Sequence, residues 1–163
     1  MQDAESEIHW PAEFDPASTP VHVRNEMEMN APPERVWAWL VRAPRWPEWY
    51  PNSKRVCLAS EASELKRGTV FRWKTFGASL TSEVLEYIPG ERLAWNARGL
   101  GVQAYHAWLL QPRNGGCRVL TEETQRGWLC RLGHLVVPNR MFKGHQIWLE
   151  RLRCKALVGP PES

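Results

Sequence analysis

The chain of 163 residues is long enough for one domain with a substantial core and short for two, so we expect a single domain. Its 21 Lys and Arg residues are well mixed with its 18 Asp and Glu residues, and the net charge of +3 leaves no concentrated basic stripe that would indicate a nucleic-acid partner. The ten tryptophans are several times the usual number, and they predict either an unusually aromatic core or an aromatic cavity wall.

The cysteines and the N-terminal segment bear on the cellular setting. Cys57, Cys117, Cys130 and Cys154 are widely separated, with no CxxC pair and no close Cys/His cluster to hold zinc, and we interpret them as reduced thiols. The N-terminal segment is polar and acidic and lacks the basic and apolar regions of a signal peptide. No apolar run approaches about 18 residues, the length of a membrane-spanning helix. These features predict a soluble, cytoplasmic protein without stable membrane insertion.

The first predicted elements are an arm and a strand. Residues 1–18 carry Asp, Glu, Ser and Pro without periodicity and predict a flexible N-terminal arm, with Trp10 or Phe14 available to dock on the body. The next stretch, "VHVRNEMEMN", alternates in the manner of a half-buried strand. Its solvent face is predicted to carry Arg24, Glu26 and Glu28.

Proline and tryptophan dominate the segment that follows. "APPERVWAWLV" predicts a short helix, because Pro32 and Pro33 suit a first turn whose amide hydrogens would have no partner. Further prolines stop a long continuation, so "RWPEWY" is at most one more helical turn.

From Lys54 to Trp128 the pattern changes to short strands separated by turn residues. The stretches "PGE" at 89–91 and "RNGG" at 113–116 are hairpin signals. Sequential strands with short links predict an antiparallel meander.

A long amphipathic helix is predicted after Pro138. At 100° per residue, one set of side chains falls within an arc of about 120°, which marks a buried side. "WLCRLGHLVV", before Pro138, is a second helix candidate that the proline ends. The residues of the arc are Met141, Phe142, His145, Trp148, Leu149, Leu152 and Ala156.

This order of elements resembles the helix-grip fold of the START and polyketide cyclase/dehydratase (SRPBCC) superfamily, which the birch-pollen allergen family shares. The most specific match is "MNAPPERVWAWLVRAPRWPEWYPN", and "GTVFRW", "YIPGERLAW" and "HAWLLQPRNGGCRVLTEE" follow in the family's order and spacing. The resemblance implies an α+β fold, in which an antiparallel, curved sheet of six to seven strands wraps around a long C-terminal helix and two short helices follow the first strand. It places a ligand-binding domain at 19–158 and a tail at 159–163.

The resemblance also implies a cavity between sheet and helix that binds small apolar or aromatic molecules, including polyketides, lipids and hormones. Strand alternation assigns several large side chains to its inner face, although Phe71, Leu93 and Leu110 fit plain core equally well. Trp37, Trp46 and Trp49 are interpreted as wall and lid packing. The predicted ligand-binding residues are Phe71, Trp73, Trp95, His106, Trp108, Met141, His145 and Trp148.

The acid–base candidates are His106 and His145. His106 shares its strand face with Ala104 and Trp108 and is suited to act as an acid, a base or a hydrogen-bond donor, unless it bonds a neighbouring carbonyl or lies on the outer face. His145, central on the helix arc, presents the same choice, and we expect the two rings to approach one another across the cavity. Glu122 and Glu123 point in opposite directions, so one of them faces inward.

The sequence offers little support for other chemistry. No Gly-rich phosphate loop, nucleophile elbow or HExxH motif is present, so no nucleotide or other cofactor is expected. Iron-dependent oxygenases with this fold need two histidines and a carboxylate. His106 and His145 are expected on a strand and a distant helix without paired ligand spacing, so no metal is predicted.

Three functional hypotheses follow. The leading one is a protein that binds a small hydrophobic, aromatic or polyketide- or lipid-like molecule without metal or nucleotide. The second is a metal-independent cyclase or dehydratase that uses a cavity histidine or an inward glutamate for proton transfer. The third is a module that handles lipids, quinones or client proteins, which requires a large exposed apolar patch.

Overall fold

Seven strands form the body of the protein in the computed structural model, which describes residues 7–162. They make one antiparallel sheet in the order β1-β7-β6-β5-β4-β3-β2. The antiparallel sheet of the predicted fold class is thereby confirmed, with seven strands. The strands are β1 Val21–Met29, β2 Lys54–Leu58, β3 Val70–Thr75, β4 Ala78–Ile88, β5 Arg92–Gly99, β6 Val102–Arg113 and β7 Gly116–Arg126.

Tight turns and two register shifts shape the sheet, and the first shift lies in the pairing of β2 with β3, between Lys54 and Cys57. Both sequence-predicted hairpins are present, with β4 joined to β5 across Pro89–Glu91 and β6 joined to β7 across Asn114 and Gly115. The pairing of β4 with β5 shifts register between Val84 and Glu86, and a bulge of this kind bends the strand that carries it.

A short 3-10 helix at Ala12–Phe14 precedes β1, and the other helices lie between β1 and β2 and after β7. Pro33 opens α1, and a six-residue 3-10 helix at Ala43–Glu48 follows it, as the prolines predicted. Among the described residues, no helix is both long and apolar enough to cross a bilayer. The α-helices are α1 Pro33–Leu40, α2 Trp128–Val136 and α3 Arg140–Val158.

The long helix α3 packs against the inner face of the sheet. Of the seven residues predicted to face inward, only Phe142 is largely exposed, at 49%. Phe142 stands at one edge of the predicted arc, and that edge faces solvent, so its assignment to the buried stripe was wrong. The main core therefore lies between the sheet and the remaining residues of the arc.

The N-terminal segment packs on the outer face of the sheet. Of the predicted flexible arm, residues 7–18 are described; Ile8 and Phe14 are buried there, and the Phe14 ring stacks on Tyr105 at 5.9 Å. The N-terminal segment packs there because β6 is apolar on both faces. The apolar side chains on its outer face would otherwise be exposed to solvent. The nearly continuous apolar run "AYHAWLL" indicates this double burial, because a strand with one exposed face alternates apolar and polar residues. Residues 1–6 lie outside the described part of the chain.

The C-terminal tail is tied to α1. The Trp39 indole donates a hydrogen bond to the Gly159 carbonyl at 2.8 Å, and the Arg42 guanidinium donates to the carbonyls of Pro161 and Glu162. These bonds fix the end of α3 beside the first helix.

Candidate functional site

Trp46, from the proline-rich segment, stands at the centre of an aromatic cluster on the inner face of the sheet. Its ring centroid lies 5.2 to 5.9 Å from those of Phe71, Trp73, Trp95 and Trp148. The side chain is fully buried, and its indole nitrogen donates to the Leu40 carbonyl at 2.9 Å. Trp46 is therefore a structural core residue, and the short 3-10 helix positions its side chain in the cluster.

Beside this cluster lies a cavity of about 310 Å³, bounded by the sheet, α2 and α3. Apolar side chains form most of its wall, and its polar members include the buried His106, Glu123 and His145. The other polar lining residues are Thr75, Gln125, His134 and Arg140. The predicted ligand-binding residues on its wall are Trp73, Trp95, His106, Met141, His145 and Trp148.

Two of the eight predicted ligand-binding residues lie behind the wall. Phe71 packs edge-on against Trp46, and Trp108 packs against His106 and Trp148. Both are almost completely buried, because they face the inner side of the sheet at positions already covered by other rings. Strand alternation gives the face of a residue but not its distance from the cavity.

Three of the polar residues on the cavity wall form a buried cluster. Oε2 of Glu123 lies 2.9 Å from Nε2 of His145 and 3.3 Å from Nδ1 of His106. The two imidazoles are nearly parallel, with centroids 4.7 Å apart. Two further side chains complete the network: Thr121 Oγ1 lies 2.7 Å from Nε2 of His106, and Gln125 donates to Oε1 of Glu123 at 2.7 Å. We call these five residues the His–Glu network.

The sheet register explains why these residues meet. His106 on β6 is paired directly with Glu123 on β7, so both side chains leave the same face. Thr121 and Gln125, each two residues from Glu123 along β7, share that face. His145 reaches them because α3 crosses this part of the sheet. The two histidines thus approach one another as expected, and the premise that they lie too far apart to share ligands was wrong.

Burial and mutual charge control the protonation of the network. Burial lowers the pKa of His106 to about 3, and the neighbouring Glu123 offsets this only in part. Burial alone would raise the pKa of Glu123, but the two imidazoles and the hydrogen bonds from His145 and Gln125 outweigh it and lower that pKa. At neutral pH, Glu123 is therefore a carboxylate and His106 a neutral imidazole.

The remaining nitrogen of the network is unpaired. Nδ1 of His145 is buried and has no hydrogen-bond partner among the described residues. If Nε2 of His145 carries the proton that is donated to Glu123, Nδ1 presents a lone pair. In that tautomer, His145 is oriented by a carboxylate on one side and has an unpaired basic nitrogen on the other.

The same three residues are the group among the described residues that could hold a metal ion. Their ligand atoms all lie within 4.8 Å of one another, and two histidines with one carboxylate suit iron or zinc. Oε2 of Glu123 accepts a hydrogen bond from Nε2 of His145, and Nδ1 of His106 lies 3.3 Å from the same oxygen, at an ion-pair distance without a hydrogen bond. The three residues thus contact one another directly.

A strained turn that the sequence analysis missed forms one edge of the cavity. Phe76 and Gly77 join β3 to β4 with positive φ angles of 48° and 82°, as a two-residue hairpin requires. A bulky residue at positive φ is uncommon, and the ring of Phe76 lies directly over Gly144 of α3. Arg140 caps the same ring, with its guanidinium 5.5 Å from the ring centroid. In the sequence, the dipeptide "FG" between the two strand patterns was the feature that could have predicted this hairpin turn.

Glu122 and Glu123 point to opposite faces, as expected. Glu122 lies on the outer face, where the His22 ring is 2.8 Å from its carboxylate and Arg24 forms an ion pair with it. Glu123 is therefore the glutamate that faces the cavity.

Comparison with known proteins decides the family. Residues 20–156 match the model of the family described as polyketide cyclase / dehydrase and lipid transport. The chain belongs to this family. No curated protein matches the sequence significantly.

Solved structures support the same fold for this polyketide cyclase/dehydrase family member. A hypothetical protein from Helicobacter pylori is 30% identical, with a TM-score of 0.86 over 96% of this chain and 99% of that one. A Thermus thermophilus protein is 20% identical, with a TM-score of 0.70 over 85% of this chain and 98% of that one. The di-domain ARO/CYC protein StfQ of the steffimycin biosynthetic pathway is 14% identical, with a TM-score of 0.70 over 85% of this chain and 51% of that one. These likenesses confirm the helix-grip fold.

Proposed function

We propose that this protein binds a small, largely apolar molecule, aromatic or polyketide-like, in the cavity between the sheet and α3. The proposal rests on a cavity of about 310 Å³ whose wall is mostly apolar and includes the buried polar residues His106, Glu123 and His145. Ligand sites of small molecules generally combine an apolar wall of about 300 to 1,000 Å³ with a few placed polar groups. Trp73, Trp95 and Trp148 supply flat surfaces, and the His–Glu network orients the ligand.

The binding proposal is tested by filling the cavity. Ala104 lies on the cavity wall, and its neighbour Gln103 is exposed on the other face of β6. In Ala104→Phe the added ring occupies ligand space, whereas in Gln103→Phe it points to solvent. Polycyclic phenols and fatty acids are titrated into each protein, with intrinsic tryptophan fluorescence and native mass spectrometry as readouts.

The expected result is saturable binding in the wild type and in Gln103→Phe and a loss of at least about tenfold in affinity in Ala104→Phe. Equal affinities in the two variants would place the ligand elsewhere. Circular dichroism shows whether both variants are folded. If Ala104→Phe does not fold, Ala97→Leu, on the paired position of β5, provides the same test.

A second candidate function, proton transfer to and from the ligand, is favoured by the unpaired Nδ1 of His145. A base held by a buried carboxylate and facing an apolar cavity is suited to remove a proton from carbon next to a carbonyl group. The carbanion then attacks a second carbonyl carbon of the same ligand molecule. The imidazolium returns the proton to the resulting alkoxide. Loss of water from that alcohol completes a cyclisation with dehydration. Glu123 stabilises the imidazolium between these steps.

Hydrogen exchange separates this candidate from simple binding. An aromatic ketone such as 2-tetralone is incubated with the protein in D₂O, and mass spectrometry follows deuterium entering beside the carbonyl. We expect the wild type to exceed His145→Gln by about 100-fold, the lower range for general base catalysis. His9→Gln, which changes an exposed histidine, serves as control. Equal exchange in the wild type and His145→Gln, with binding retained, would leave a binding protein only.

A further inference from the structure

The helix α2 is apolar on both of its sides. Its inner side, which includes Leu129, Cys130 and Gly133, borders the cavity. Its outer side faces solvent and is also apolar, and of its nine residues only Cys130 is buried. A helix at a protein surface normally has one apolar stripe. The second, exposed apolar stripe therefore indicates an interaction surface. The exposed fractions on that side are 60% for Trp128, 50% for Leu132, 80% for Leu135 and 68% for Val136.

These four residues form one patch, and a neighbouring turn extends it. They follow one another at spacings of four, three and one, so they share one side of α2. The turn between β5 and β6 packs against this side: a Cβ added at Gly101 would lie 2.7 Å from the Trp128 ring. Leu100, in the same turn, is 82% exposed. We call Leu100, Trp128, Leu132, Leu135 and Val136 the α2 patch.

Positive charge is concentrated in the stretch of sequence that carries α2, and Arg126 and Arg131 line the same surface hollow as Trp128. From Thr124 to Leu149 the sequence contains no Asp or Glu, whereas it contains four cationic side chains, all of which are exposed. None of the four forms a salt bridge with another described residue, although two of them donate to backbone carbonyls. The cations are Arg126, Arg131, Arg140 and Lys143.

We propose that the α2 patch docks this protein on an anionic lipid surface. A short helix with Trp and Leu side chains and flanking cations lies in the plane of a bilayer interface, where its apolar side chains enter the acyl boundary and its cations meet anionic headgroups. Arg131, on α2 beside the patch, can extend its apolar stem and keep its charge at headgroup level. The lipid-handling hypothesis requires a large exposed apolar patch, and these five exposed residues are the candidate for it.

Charge distinguishes a membrane from a second copy of the chain. In a symmetric dimer through this surface, Arg126 and Arg131, which line the same hollow as Trp128, would be brought toward their own copies. An anionic lipid surface offers the opposite charge to both. The α2 patch lies on the side of α2 that faces away from the cavity, so this inference does not depend on which ligand the cavity holds.

Vesicle sedimentation tests the docking surface. The probes are vesicles of phosphatidylcholine alone and vesicles that contain about one third phosphatidylglycerol. Leu135→Asp removes an exposed apolar group from the patch, and Arg131→Glu reverses a cation. Val158→Asp is the matched control, since Val158 is 91% exposed at the opposite end of α3, a helix of 19 residues and so about 28 Å long.

The wild type and Val158→Asp should bind the anionic vesicles, at least about tenfold more tightly than the neutral ones, and lose that preference at high salt. Leu135→Asp and Arg131→Glu should each weaken binding by at least about fivefold. Binding of an apolar probe in the cavity should be unchanged in Leu135→Asp, which keeps this test separate from that of the proposed function. Equal vesicle binding in all four proteins overturns the proposal, as does a solution dimer that Leu135→Asp dissociates.

Discussion

At the scale of single residues, the position of Glu123 determines the chemistry of the cavity. A carboxylate buried among tryptophans is costly unless it is paired and hydrogen-bonded, and here two imidazoles and one amide supply those partners. Removing one partner leaves a buried charge or polar atom without compensation. The His–Glu network is therefore expected to couple stability to pH.

Acid should destabilise the protein through His106. In the unfolded chain this histidine takes up a proton near pH 6.5, whereas in the folded protein its pKa is about 3. The unfolded state thus binds more protons between these values, so the free energy of unfolding falls as the pH is lowered from 6.5 toward 3. Glu123, whose pKa is lowered from 4.5, acts in the same direction below pH 4.5.

The check is urea unfolding at several pH values for the wild type, His106→Phe and the control His9→Gln. His106→Phe should be less stable at pH 7.5 by about 1 to 3 kcal/mol, because Thr121 and Glu123 lose a partner. Its stability should depend less steeply on pH than that of the other two proteins. Parallel pH profiles in all three would show that His106 is not the group responsible.

Metal ions should have little effect on the His–Glu network. Because the Glu123 carboxylate already accepts hydrogen bonds from His145 and Gln125, a metal bound by His145 and Glu123 would have to displace the bond between them. We therefore expect one equivalent of Zn²⁺ or Fe²⁺ to leave the melting temperature unchanged. A rise in melting temperature that disappears in Glu123→Gln would contradict this and establish a metal site instead.

At the scale of elements, α3 is held against the sheet at both of its ends. Its C-terminal end is tied to α1, and its N-terminal end contacts the turn that carries Phe76. Trp148, between these ends, stacks on Tyr50 with ring centroids 4.3 Å apart. The strained turn therefore serves to close the cavity at the N-terminal end of α3.

Gly144→Ala should show how tightly that turn is packed. A methyl group at this position meets the end of the Phe76 ring, so the substitution should destabilise the protein by about 1 to 3 kcal/mol. In a Phe76→Ala background the same change should stabilise it by up to about 1 kcal/mol, since alanine favours helix more than glycine. Denaturant unfolding of the four proteins provides the measurement.

Gly133→Ala is the matched control, because a Cβ at Gly133 of α2 meets nothing within 4 Å. It should be neutral or stabilising in both backgrounds. If Gly144→Ala behaves in the same way with Phe76 present, the Phe76 ring is not held over α3.

At the scale of the whole molecule, one sheet carries two cores. The inner core lies under α3, and the outer core lies under the N-terminal segment, where Phe14 packs on Tyr105. Because the same strands carry both, loss of either core should weaken the other. We therefore expect one cooperative unfolding transition.

Phe14→Ala should reduce the stability of the entire domain by roughly 3 kcal/mol, as expected for a buried Phe. Phe142→Ala, at an exposed position, should change it by about 0.5 kcal/mol or less. Unfolding followed by tryptophan fluorescence and by far-ultraviolet circular dichroism should coincide in both variants. A separate early transition in the wild type would mean that the arm detaches on its own.

The sequence by itself determined the elements and their faces. A period of two grouped His106 with Ala104 and Trp108 on one face of β6, turn residues gave the hairpins, and a period of 3.6 placed His145 on the buried side of α3. These features are local, since they depend on backbone geometry within a few residues. The sequence offered Trp10 or Phe14 for docking of the arm, but it did not show where they dock, because a cover for the outer face is a contact between distant segments.

Only the tertiary structure decided which inward residues meet and what they do. Register pairs His106 with Glu123, and the crossing of α3 brings His145 to the same carboxylate, although no spacing along the chain relates the three. The same holds for Phe76 over Gly144 and for the depth at which Trp108 lies behind the cavity wall. Distances between residues remote in sequence follow from how whole elements pack, and a periodic pattern records the side that an element buries but not its neighbour.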